Sequence, residues 1–152
     1  MSEIARIEDQ LRRAFEGGAW HGPAVLEVLG DVTAARAAAR PLPEAHTIWE
    51  IALHVATWKS VVARRVRGEV VNQVPDDVDW PPVKAGGEAE WQTALAGLEA
   101  AHQDLRQAVA ALDETRLDER PYPGASPRYV QIHGVIQHDL YHAGQMALLK
   151  KA

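Results

Sequence analysis

The sequence predicts an all-α protein, a four-helix bundle with a long crossover loop. Three observations carry this. Nearly every apolar block recurs at the three- and four-residue steps of a helix face. No stretch alternates apolar and polar residues as a strand would. The blocks are separated by Pro/Gly punctuation, which includes one long Pro-rich stretch at 69–87.

The first block places Ile4, Ile7, Leu11 and Phe15 on one helix face, with Ser2 as its N-cap and Gly17-Gly18 as its end. After Trp20-His21-Gly22, Pro23 suits the first position of a short helix running to about Leu29. Asp31 is the expected cap of a further alanine-rich piece that closes before Pro41. Thr47-Ile48-Trp49-Glu50 fits a capping box, in which the Thr hydroxyl caps an amide and the Glu carboxylate reaches back. The helix it opens should reach about Arg67 and stop at Gly68, with Ile48, Ile51, Ala52, Val55, Trp58, Val62 and Val66 as a wide apolar stripe. Residues 69–87 read as loop, long enough for a crossover or a lid. A third long helix spans about 88–112, where Trp91, Leu95, Leu98, His102, Leu105, Val109 and Leu112 form a bundle seam. After a second loop at 113–128, a fourth helix runs from about Tyr129 to Lys151.

The chain has 152 residues, a formal net charge of −5, 47% hydrophobic residues and 24% charged ones. That length suits a single domain, 1–152, able to bury its own core. The composition is globular rather than disordered or fibrous. With no cysteine there is no disulfide, thiolate metal site, iron–sulfur cluster or cysteine nucleophile. The acidic balance argues against nucleic acid as a partner. No apolar run approaches the ~20 residues of a membrane span. The acidic start MSEIARIEDQ does not read as a secretory signal, so the expected location is cytoplasmic.

The seven histidines are the main chemical lead. His138 and His142 are four apart on the last helix, so both rings leave one face about 6 Å apart. Two imidazoles so placed can share a metal ion, but a site needs at least one more ligand. The protease pattern H-E-x-x-H does not apply: Asp139 follows the first histidine, and the short remainder after His142 holds no further ligand. The third ligand must come from upstream. His133 points ~140° away from His138 on the same helix. His46 precedes a helix start, His102 sits in a core seam, and His21 lies in the Trp20–Pro23 break. His54 is favoured, because an unliganded histidine among Ile51, Val55 and Trp58 is a costly polar group in an apolar wall. Against this stands the plainer reading of His54 or His102 as a hydrogen-bonded core histidine.

Two strings, T-I-W-E-I-A-L-H-V-A-T-W and G-V-I-Q-H-D-L-Y-H-A-G-Q-M-A-L-L-K-K, resemble the DinB/YfiT-like superfamily of metal-dependent proteins; G-G-A-W-H-G-P resembles one branch of it. The resemblance covers nearly the whole chain. It implies a four-helix bundle with a long crossover and a divalent metal, usually nickel or zinc. That metal would be held by His54 on the second long helix and His138 and His142 on the last. It also implies small-molecule chemistry. Some relatives are S-transferases or isomerases that use a low-molecular-weight thiol, others are described as hydrolases, and dimers are common. The expected partners are thus a small-molecule substrate and a second copy of the chain. The rival reading is a helical module, with or without metal, that binds a partner without turnover.

Helical spacing names the supporting candidates. Glu50, one turn before His54, is a candidate base, with its capping-box role as the plainer alternative. Gln145, one turn after His142, is a candidate to orient a ligand. Trp58, Tyr141 and His21 are candidates to line a cofactor or substrate pocket, although Trp58 and Tyr141 read more simply as core. Asp139 points ~100° from His138, either toward a histidine on another helix or into solvent. Gly134 and Gly144 suggest close helix packing, and the acidic stretch 76–79 a solvated loop.

Overall fold

The computed structural model describes residues 1–84 and 86–152, and its regular structure is helical. In chain order the elements are α1 (Glu3–Phe15), α2 (Val25–Leu29), α3 (Ala34–Ala38), α4 (Ile48–Val66), α5 (Asp76–Asp79), α6 (Glu88–Ala110) and α7 (Arg128–Leu149). The four long helices α1, α4, α6 and α7 form the predicted bundle.

Local chemistry explains the helix ends. The Ser2 hydroxyl accepts from the Ala5 amide at 3.2 Å. Thr47 and Glu50 close the capping box at both ends, with Glu50 N–H to Thr47 Oγ1 at 3.1 Å and Thr47 N–H to Glu50 Oε2 at 2.8 Å. Gly68, at φ +96°, takes the left-handed turn that ends α4. Four boundaries differ from expectation. Helix α2 starts at Val25 rather than Pro23, because the Glu27 carboxylate accepts the Ala24 amide and sets the cap there. Thr33, not Asp31, caps α3, and Asp31 pairs with Lys150 instead. The 69–87 loop contains the single helical turn α5. The 113–128 loop contains a 3-10 turn, Glu114–Arg116, capped by Asp113.

Cross-helix contacts give the directions. Trp49 meets Trp91, and Arg67 pairs with Asp104 further along, so α4 and α6 run the same way. His54 faces His142 while the Val66 carbonyl accepts from Arg128, so α7 runs against α4. Glu16 reaches Gln103 while the Glu3 amide reaches Glu114, so α1 runs against α6. Two consecutive long helices that run the same way force the chain back along the bundle, about 28 Å for the 19 residues of α4. The segment after Gly68 makes that return, which is why the crossover is long.

The core has two apolar clusters. One joins Phe15, Val25, Trp49, Val55, Trp91 and Met146; the other joins Leu11, Val62, Leu105, Val109, Ile132 and Ile136. Between them lies a polar layer of Lys59, His102 and Asp139, each fully buried. Lys59 Nζ donates to Asp139 Oδ2 at 2.6 Å and to His102 Nδ1 at 3.2 Å. Asp139 therefore meets a lysine, neither of the two surroundings expected of it. Among the described residues no helix is long and apolar enough to cross a membrane.

Candidate metal centre

The antiparallel pairing of α4 and α7 sets His54 across from His138 and His142. His138 Nε2 is 3.0 Å from His54 Nε2 and 3.0 Å from His142 Nε2. Among the described residues these three histidines form a group able to hold a metal ion.

The tautomers follow from the other ring nitrogens. His54 Nδ1 lies 2.8 Å from the Asp79 carbonyl oxygen, which can only accept, so Nδ1 carries the proton. His142 Nδ1 lies 2.7 Å from Gln145 Oε1, with the same consequence. Both Nε2 atoms then present bare lone pairs to the space that His138 Nε2 also faces. Converging lone pairs repel unless something positive lies between them. Nitrogens at these spacings suit an ion bonded to each at ~2.0–2.1 Å, so the donor set fits a divalent metal. Backbone or amide acceptors behind ligating imidazoles are the usual means of holding such rings in place.

Charge state agrees. Burial pushes the His138 imidazole down to about 3, helped by the neighbouring His142 and His54. Burial likewise brings His142 down to about 4, against the raising effect of its Gln145 hydrogen bond. Both rings are neutral near pH 7, the form that ligates.

The crossover supplies parts that the sequence reading did not assign. Asp79, expected in a solvated loop, accepts the His54 proton through its carbonyl and the Trp58 indole N–H through Oδ1 at 2.6 Å. Trp80 stacks flat on His54 at 3.8 Å and, on its other face, on His46 at 3.6 Å. An aromatic residue isolated between aspartates and prolines was the one available signal. The turn of α5 is what aims both residues inward.

The other candidates separate. Glu50 spends its carboxylate on the Thr47 amide, Arg40 and His46. Burial alone would raise its pKa, but the Thr47 amide and the Arg40 guanidinium outweigh it and hold the carboxyl below its usual range. A base needs the reverse, so Glu50 acts as a cap and as a brace for His46. Gln145 does orient a ring, that of His142. Trp58 is half-buried beside His138, with ring centres 6.3 Å apart. Tyr141 is 65% exposed, which corrects the core reading; its ring lies edge-on to His142 on the rim of a groove. His21 is exposed and lines a separate groove with Trp20 and Ile136, away from the three histidines. His102 belongs to the buried polar layer and is absent from the group. A Cβ on Gly134 or Gly144 would meet nothing within 4 Å, so neither glycine serves close helix packing.

Among the described residues two grooves reach the centre. One, about 340 Å³, runs between α4 and α7 and ends at His138. The other, about 490 Å³, opens beside His142 under Trp80 and Tyr141.

Fold and site together define a helical-bundle protein with a three-histidine centre able to take a metal ion. The family model of the DinB superfamily matches residues 8–146, and the chain belongs to that superfamily. Curated proteins and solved structures yield no match.

Proposed function

We propose that this protein is a metal-dependent enzyme acting on a small molecule, with nickel or zinc held by His54, His138 and His142. The observation that carries it is the convergence of three imidazole nitrogens, two with tautomers set by acceptors behind them. Among the described residues no carboxylate joins this group. Three protein ligands leave coordination positions open, the pattern of catalytic rather than structural sites.

A bound divalent ion supplies Lewis acidity and lowers the pKa of a water or an external thiol in its open positions. The first favours hydrolysis, the second thiol-dependent S-transfer; the absence of cysteine suits both, because the nucleophile comes from outside the chain. The protein's own groups hold and shield. Asp79 and Gln145 keep the His54 and His142 protons on Nδ1. Trp80 covers the His54 ring and excludes water from that side. Glu50 is engaged with Arg40 and the helix cap, and the carboxylate nearest the three rings is that of Asp79, whose Oδ1 lies 3.0 Å from His54 Nδ1 and accepts the Trp58 indole N–H.

Metal analysis of untagged protein tests the reading. About one nickel or zinc per chain is expected, lost in His138→Ala. Metal-free protein that gains no stability from either ion would refute it. A screen of ester and amide hydrolysis against thiol conjugation then separates the two reaction types.

A further inference from the structure

The groove ending at His138 is built asymmetrically. One wall is the α4 stripe Trp58, Val62 and Arg65; the other is the α7 stripe Gln131, Gly134 and His138. Because the two helices are antiparallel, Arg65 meets Gln131 at one end, and Trp58 meets His138 at the other. Seven residues of helix separate the backbones of the two ends, about 10 Å along the axis. The middle is apolar. Trp58 turns its N–H away to Asp79, and the Arg65 side chain leans back along the groove so that its guanidinium carbon lies over the indole ring, 5.7 Å from the ring centre.

Arg65 is the feature without a counter-charge among the described residues. Its Nε and Nη2 both donate to the Val71 carbonyl, at 2.9 and 2.6 Å, which fixes the guanidinium plane. Nη1 has, among the described residues, only Gln131 Oε1 at 3.5 Å, at the limit of a hydrogen bond. Among the described residues no carboxylate lies within 4.0 Å of Arg65, whereas Arg64, Arg67, Arg106 and Arg128 each have one. The guanidinium is half-buried. Held rigid over an apolar groove, it is a ready receptor for an anion.

We infer that the substrate of the proposed metal centre is a small molecule with an apolar body and a terminal carboxylate, which Arg65 binds while the opposite end reaches the space beside His138. This rests on the metal-enzyme reading above. With Nε and Nη2 held by the Val71 carbonyl, Nη1 is the edge left to donate to a carboxylate oxygen. Gly134 leaves room for the body, because a side chain there would project into the open groove. Arg65 is thus a specificity-determining residue, its backbone about two helical turns along α4 from Trp58.

The test uses mercaptohexanoate, with thiol and carboxylate at opposite ends, against its neutral twin mercaptohexanamide. Zinc uptake is titrated first in each variant, then each thiol is titrated into the zinc-loaded protein. Wild type should bind the acid about tenfold tighter than the amide, the size of one charge-assisted hydrogen-bonded contact. Arg65→Met should abolish that preference with zinc affinity unchanged, and Arg65→Lys should keep part of it. Gly134→Leu should weaken both thiols by filling the groove, again with zinc affinity unchanged; it keeps the test decisive should Arg65→Met disturb the Val71 loop. Equal binding of acid and amide to wild type, or a preference that survives Arg65→Met, overturns the inference and leaves the metal reading intact. Failure of wild type to take up zinc removes the metal reading, and this inference with it.

Discussion

Replacing Lys59 by Met should cost this protein about 4 kcal/mol at pH 7. Lys59 and Asp139 are both wholly buried, and among the described residues Lys59 Nζ is the only hydrogen-bond partner of the Asp139 carboxylate, whose Oδ1 has none. Burial already raises the Asp139 pKa, and the Lys59 charge opposes that rise. Without the ammonium the carboxylate must take a proton to stay inside. Protonating at pH 7 a group with an unfolded pKa of ~3.9 costs about 1.36 kcal/mol per unit, or ~4 kcal/mol. This agrees with the ~3–5 kcal/mol typical of breaking a buried pair. The sign of the pH dependence follows. The folded variant holds a proton that the unfolded chain lacks, so its stability rises as pH falls. Between pH 8 and 7 this one proton accounts for a gain of about 1.4 kcal/mol. Lys59→Met/Asp139→Leu removes both charges and should recover most of the loss, because no lone buried charge remains. Urea unfolding followed by circular dichroism, with chelator present to remove metal linkage, measures all of this. A Lys59→Met variant within about 1 kcal/mol of wild type, or a double variant no better than the single, would refute the reasoning.

Further expectations concern the metal centre, acid and backbone. Gln145→Leu removes the acceptor that holds the His142 proton on Nδ1, and should lower metal affinity about tenfold with helicity unchanged; calorimetric titration measures it, and wild-type affinity would show that the ring needs no such brace. Acid should destabilise the metal-free protein. Burial depresses His102 to about 2, with Lys59 and Arg106 adding to it, so its contribution is complete above the unfolded value near 6.5 and is lost as pH falls below that. At pH 5 this histidine alone accounts for about 2 kcal/mol; constant urea midpoints from pH 7 to 5 would contradict it. Gly144→Ala should stabilise by about 0.5–1 kcal/mol, since the added methyl meets open space in a helix interior; a lower melting temperature would show a contact unseen here.

The bundle was legible in the sequence because helical periodicity is a local property. The face of Ile7, Leu11 and Phe15, the Thr47–Glu50 box and the stripe from Trp91 to Val109 each read from a few neighbouring residues. The His138/His142 pair was legible for the same reason: an i, i+4 step sets two rings on one face in any helix. Tyr141 misled, since its position three residues after His138 says which side of the helix it occupies but not whether another helix covers that side. The buried partner of Asp139 lies 80 residues away on α4, and no spacing rule reaches that far. Asp79 and Trp80 escaped notice because their roles depend on where the crossover folds back.

The sequence by itself determined the long helices, the Ser2 and Thr47–Glu50 caps, a long Pro-rich connection between α4 and α6, and a histidine pair seeking a third ring. These follow from the fixed turn and rise of the helix, which make i+3 and i+4 neighbours without reference to the rest of the chain. Only the tertiary structure decided that His54 rather than His102 stands opposite that pair, that a loop carbonyl and an amide set the tautomers, and that Arg65 overlooks an apolar groove without a counter-charge. Those depend on the register of α7 against α4, which is set by packing summed over the whole core and not by any short segment.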